Sequence, residues 1–448
     1  RLHFNRYPNN DSLPSGLSER FLDALLKDDP DECLSVLIDN DYKWSHFITG
    51  KHKLGPMLNC RPSLLSTAVF LNASKCVSAL LELGPDLEKR DDDGRTFAHY
   101  AAAGGNLEVI LKLNLDKELM TVDYAGFTPI HYAAGFGNAT ALRYFYTINN
   151  DLNCQTQEIK PIHCACLDGH LECIQLLLEA GARIEEPTNP GKLTPLHCAC
   201  IGGHTDVIQF LVEHNASIEV MCKKSFNPIV YAAQSGSLEA VKYLTQVGAK
   251  IERRNNKHSP MIEAAANGHN DIINFFLSRG TPIDTQNSSK ITALIAAAKH
   301  HQSSTVRFLI QKGASVNTTD KEGNNVFDIA ISVGDARTVS YLVEKGFFEP
   351  KPASKSMTEC MYKAIHKGDI DEIKLLANLG VKIPIQIPAK LSNRKTRKHP
   401  IKMRSVFMFT IFQNRLEQAK FFAEAGLIRE AEKNRKILLT ELIATRDV

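Results

Sequence analysis

Apolar positions along most of the 448 residues come in paired runs separated by a glycine-bearing turn. Thr194-Pro-Leu-His-Cys-Ala-Cys is followed by Gly202-Gly203-His204 and then by Val207-Ile-Gln-Phe-Leu-Val. Both runs have helical periodicity, so the pattern predicts a helix, a reversal and a second helix. Thr194 is placed to cap the first helix, and Pro195 to occupy its first turn, where a missing N–H costs nothing. The second helix presents Val207, Ile208, Phe210, Leu211 and Val212, more apolar surface than one hairpin can hide. Stacking against neighbouring hairpins is the predicted means of burial. The same helix ends at Asn215-Ala216 where most copies have Gly-Ala, and Asn is the best non-glycine residue for a left-handed cap.

The pattern returns at a nearly fixed interval. With the alanine that follows the first-helix histidine by two positions as a ruler, equivalent residues fall at Ala24, Ala68, Ala101, Ala133, Ala165, Ala199, Ala232, Ala264, Ala297, Ala330, Ala364 and Thr410. From Ala68 to Ala364 the steps are 33, 32, 32, 34, 33, 32, 33, 33 and 34 residues, a regularity that marks a solenoid. The outer steps of 44 and 46 residues place insertions between Asp41 and Pro62 and between Pro384 and Arg404.

The clearest copies, Thr128-Pro-Ile-His-Tyr-Ala-Ala, Lys160-Pro-Ile-His-Cys-Ala-Cys and Thr194-Pro-Leu-His-Cys-Ala-Cys, resemble the ankyrin repeat. The resemblance covers about nine tenths of the chain. It implies an all-α fold, an ankyrin-repeat solenoid of about twelve stacked helix-turn-helix units with short hairpin tips. The corresponding limits are an N-terminal extension over 1–16, a divergent first repeat over 17–62 with its insertion at 41–62, regular repeats over 63–383, a basic insertion over 384–404, a divergent last repeat over 405–427 and a capping helix over 428–448. The resemblance also implies that His99, His131, His163 and His197 brace adjoining repeats by hydrogen bonding. It further implies that tips and the exposed side of the first helices form a concave binding surface.

Composition changes this picture little. A hydrophobic content of 43% is ordinary for a folded chain, and no run of eighteen apolar residues predicts a membrane span. The chain opens at Arg1 rather than Met, the mark of a fragment or of a processed or renumbered form. Eleven cysteines, an odd number, sit largely where other repeats have small buried residues, which predicts reduced thiols and an intracellular protein. Asn72, Asn138, Asn215 and Asn317 head glycosylation sequons, but repeat geometry explains them without a glycan.

Catalytic and metal chemistry find no foothold. The histidines recur with the repeat, as structural residues do. Cys164, Cys166, Cys198 and Cys200 could suggest zinc, yet consecutive helical residues point about 100° apart and these positions hold core residues in other repeats. Phosphate-loop, dinucleotide, nucleophile-elbow and zinc-protease motifs are all missing. No enzyme activity, cofactor, metal or small-molecule substrate is therefore expected.

Binding is expected at the variable positions. Early tips are acidic at Asp91, Asp92 and Asp93, whereas later ones are basic at Lys223 and Lys224 and then at Arg253, Arg254, Lys257 and His258. The insertion before Arg404 carries Lys390, Arg394, Lys395, Arg397, Lys398 and Lys402 with no acidic residue among them. With the whole chain near balance at +3, this is a local patch suited to an acidic protein surface. Missing aromatic residues in that loop argue against single-stranded nucleic acid, and an anionic membrane ranks below a protein. Tyr42, Trp44, Phe47 and Ile48 in the first insertion are expected to pack on their own repeat rather than anchor a partner. The expected function is a non-catalytic protein-binding scaffold or adaptor. One alternative is a structural component fixed to a filament such as a microtubule, with tubulin as partner; another is the regulatory arm of a larger enzyme or channel.

Overall fold

The computed structural model describes residues 15–38, 57, 60–84, 87–113, 115, 118–149, 152–153, 159–251, 258–349, 355–384, 417 and 421–422. Among them lie 22 helices and no strand, arranged as eleven successive pairs. The contacts divide the chain into two compact units, 1–251 and 252–448.

In the first unit the pairs are α1 (Ser15–Leu26) with α2 (Pro30–Ile38), α3 (Leu64–Phe70) with α4 (Ser74–Glu82), α5 (Phe97–Gly104) with α6 (Leu107–Leu113), and α7 (Pro129–Gly135) with α8 (Ala139–Asn149). They continue with α9 (Pro161–Asp168) and α10 (Leu171–Glu179), α11 (Pro195–Gly202) and α12 (Thr205–Glu213), and α13 (Pro228–Ser235) and α14 (Leu238–Gln246). Each first helix from α3 to α13 packs on the next. The second unit holds α15 (Pro260–Asn267) with α16 (Asn270–Ser278), α17 (Ala293–Lys299) with α18 (Ser303–Gln311), α19 (Val326–Val333) with α20 (Ala336–Glu344), and α21 (Lys355–Lys367) with α22 (Ile370–Asn378). Its first helices likewise pack in succession.

The ruler alanines explain the close stacking. Every one from Ala24 to Ala364 is buried within its first helix, where a methyl group lets neighbouring helices approach. Thr410 lies outside the described residues. Beyond α22, Phe422 is fully buried among Ile373, Leu376 and Met361, and the Lys374 ammonium lies over the Phe421 ring.

The repeat at Thr194 shows the local logic. Thr194 is the extended N-cap residue of α11, Pro195 opens the helix, and Gly203 ends it in the left-handed region at φ 76°. On α12, Val207, Ile208 and Leu211 are buried, whereas Phe210 and Val212 are only half-buried. The predicted apolar face is thus narrower than the full set of five residues. Asn215 takes φ 69°, the left-handed cap read from its sequence. Asn138, a sequon residue, turns its side-chain amide inward to donate to the carbonyl of Ala102 at 2.8 Å and to that of Ala103.

Candidate functional site

The tips are short hairpins closed between residues four apart, as in Asp91 N–H to Arg95 carbonyl at 3.0 Å, Asp123 N–H to Phe127 carbonyl at 2.9 Å and Cys222 N–H to Phe226 carbonyl at 3.0 Å. Backbone bonds also tie one tip to the next. Asp92 donates to the carbonyl of Cys60, Tyr124 to that of Asp93 and Lys223 to that of Gly191. A row of tips fixed in this way presents its side chains with little conformational freedom left to lose.

The acidic tip expected at Asp91 to Asp93 is largely neutralised from within. Asp91 is buried and accepts from the Arg95 guanidinium at 2.7 Å and from the Tyr100 hydroxyl at 2.6 Å. Asp92 pairs with Arg61 at 2.6 Å and Asp93 with Arg95 at 2.8 Å. The three carboxylates therefore organise the tip, and the sequence could not reveal this because Arg61 comes from the preceding repeat. A second regularity follows the same rule. Tyr132 donates to Asp123 at 2.8 Å, so a first-helix tyrosine holds the acid nine residues before it in both repeats. In the repeat of Tyr231 the matching tip residue is Cys222, whose sulfur lies 3.5 Å from the hydroxyl.

Lys223 and Lys224 fit the expectation of a basic tip more simply. Both side chains are exposed, and neither forms an ion pair among the described residues. The other sequence-predicted binding residues, Arg253, Arg254, Lys257, Lys390, Arg394, Lys395, Arg397, Lys398, Lys402 and Arg404, lie outside the described residues, as do the Trp44 cluster and the segment 428–448. His258 is described and pairs with Glu263 at 3.0 Å, which takes it out of the basic patch.

Sequence reading missed an aromatic face. The Phe70 ring meets Tyr100 and Phe136 edge-on at 6.1 and 5.9 Å between centroids, and Tyr132 stacks on Phe136 at 6.4 Å. These rings come from α3, α5 and α7 and the turn after α7, and Phe136 and Leu167 remain 42% and 40% exposed, enough to meet a partner. Spacing alone gave no sign of it, because Phe70 and Phe136 are separated by two full repeats.

The four signature histidines are buried between repeats. A carbonyl can only accept, so Nε2–H of His99 donates to Phe127 at 3.1 Å, and those of His131, His163 and His197 donate to Ile159, Glu186 and Phe226. Nδ1 of each accepts the backbone N–H of its N-cap residue, Thr96, Thr128, Lys160 or Thr194. The tautomer is fixed and neutral. Burial holds His99, His131 and His197 down to about 4 and lowers His163 as well.

Ten cysteines are described, none of them in a disulfide. Burial pushes Cys164, Cys173 and Cys198 up to about 12 and Cys166 well above its ordinary range. Such thiols stay protonated, poor as nucleophiles and as metal ligands. Among the described residues no group of three His, Cys, Asp or Glu side chains is placed to hold a metal, and no helix is long and apolar enough to cross a membrane.

Comparison with known proteins agrees with this architecture. The family described as ankyrin repeats (3 copies) matches residues 65–157, 110–188, 135–222, 162–255 and 261–352, together more than half of the chain. The ankyrin repeat and KH domain-containing protein mask-1 of Caenorhabditis elegans is 29% identical over 126 residues, which are 28% of this chain and 5% of that protein. The ankyrin repeat protein nuc-2 of Neurospora crassa is 27% identical over 220 residues, 47% of this chain and 20% of that protein. This chain thus spans no more than a fifth of either relative. Among solved structures, the human ASB11 ankyrin repeat domain aligns with a TM-score of 0.41 and 27% identity, covering 46% of this chain and 92% of that one. Ankyrin repeats are generally protein–protein interaction modules.

Proposed function

Because the chain belongs to the ankyrin-repeat family, we propose that it is a non-catalytic scaffold or adaptor that binds an acidic surface of a protein partner, and that it works inside the cell. The observation that carries this reading is the row of tips tied by backbone hydrogen bonds, with Lys223 and Lys224 exposed on it and in no ion pair among the described residues, while Asp92 and Asp93 of an earlier tip are paired with arginines. The tip at Lys223 and Lys224 thereby presents positive charge, which steers an acidic partner. Arg253, Arg254 and Lys257 add further cationic residues in this proposal. The insertion over 384–404, with Arg394, Lys395, Arg397, Lys398, Lys402 and Arg404, supplies a second cationic patch. The domain limits drawn from the repeat spacing, including the terminal cap at 428–448, belong to the proposal too.

The test is a native pull-down with the chain and with the triple variant Lys395→Glu, Arg397→Glu, Lys398→Glu, at low and moderate salt. Loss of acidic partners at unchanged Tm supports recognition by the insertion, and tubulin among the lost partners assigns the protein to a filament. Partners that persist, but vanish with Lys223→Glu and Lys224→Glu, place recognition on the tips. Capture that ignores all these reversals refutes the electrostatic reading.

A further inference from the structure

A cavity of about 580 Å³ in the second unit is lined by His301, Val333, Gly334, Lys363, His366 and Lys367. Its walls come from three successive repeats: the turn after α17, the end of α19 and one face of α21. Lys363, His366 and Lys367 stand at i, i+3 and i+4, so they share that face. No acidic residue lines the cavity.

The neighbouring carboxylates are already committed. Glu372, which is buried, pairs with Lys367 at 2.9 Å, Asp369 with Arg337 at 3.5 Å, and Asp335 accepts from Ser303 and Thr338. Each of the two ammonium groups has one partner within the fold. Lys363 donates to the Ser332 carbonyl, and its stem lies against Gly334, where an added Cβ would stand 2.9 Å from it. An ammonium has three N–H donors, so one bond to Ser332 or Glu372 leaves two on each lysine for a ligand. The lysine stems and Val333 supply an apolar wall beside these donors.

We propose that this cavity receives an acidic peptide segment of the protein partner, with a Glu or Asp carboxylate between Lys363, Lys367 and His301 and an adjoining apolar side chain against Val333. This deepens the reading of the protein as a binder of acidic partners by assigning a recognition site on the first-helix ends of the second unit, built from residues other than those of the tips and the insertion. Pre-placed lysines reduce the ordering cost of capture.

The experiment titrates the full chain against a short fluorescein-labelled peptide of alternating Glu and Leu, followed by anisotropy. Lys363→Glu should weaken binding by about tenfold or more, and Lys363→Arg should stay near wild type. Should Lys363→Glu fail to fold, His301→Asp serves instead, because Asp tolerates the left-handed backbone at His301, φ 58°. Binding unchanged in His301→Asp and Lys363→Glu overturns the assignment. Displacement of the peptide by inorganic phosphate at matched charge also overturns it, reducing the cavity to a general anion site. If the peptide is lost only in the triple variant at Lys395, Arg397 and Lys398, the acidic-partner reading stands and the cavity assignment falls. If the chain captures neither the peptide nor any acidic protein, both fall.

Discussion

Acid should loosen the first unit through its buried histidines, and the size of the effect follows from their geometry. Each imidazole donates through Nε2–H across the repeat boundary and accepts at Nδ1 from a backbone N–H. A proton added to Nδ1 would face that N–H in a buried site. For His99, His131 and His197 the folded value of about 4 lies below the ordinary 6.5. A depressed histidine contributes stability that is complete above the unfolded value and is lost as pH falls toward the folded one. Stability should therefore be flat above about pH 7, decline from about 6.5, and level off near 4. Between pH 7 and pH 5 each of the three should cost about 2 kcal/mol, so all three reach about 5–6 kcal/mol. That is a large share of the 5–15 kcal/mol typical of a folded domain. Urea unfolding at a series of pH values measures it directly, in the wild type and in the triple variant His99→Gln, His131→Gln, His197→Gln. Glutamine can still donate to the carbonyl but does not titrate, so the variant should be less stable at pH 7 yet lose far less by pH 5. Parallel pH curves for the two proteins would refute the argument.

Other perturbations test other parts of the architecture. Leu211→Ala removes a fully buried side chain from α12 and should cost about 2–5 kcal/mol in chemical denaturation; a neutral result would contradict the register. Asn215→Ala should lower stability by about 1 kcal/mol because of the positive φ at that position, whereas Asn215→Gly should be neutral or stabilising, as thermal melts would report. Tyr132→Phe leaves the buried Asp123 without its hydroxyl donor and should cost about 1–3 kcal/mol, with no change if the tyrosine only fills space. Gly169→Ala should destabilise strongly, because φ is 85° and the added methyl runs into the His204 ring; equal melting temperatures would disprove that packing.

By itself the sequence determined the repeat and most of its chemistry. Alanines at a step near 33 residues end up buried because only a small side chain fits where adjoining helices touch, so period and burial are one fact. Pro195 at the helix start, Asn215 in the left-handed cap and the histidine braces are local devices, set by residues close in the chain or one repeat away. Tertiary structure decided which charges stay exposed and which are paired. Asp91, Asp92 and Asp93 read as an acidic patch, yet their charge is spent on Arg95 and on Arg61 of another repeat. It also brought Phe70 beside Phe136, and set His301 and Lys363 in the lining of one cavity from repeats either side of a third. Stacking turns residues far apart in the chain into neighbours, and no local spacing encodes which exposed groups will meet.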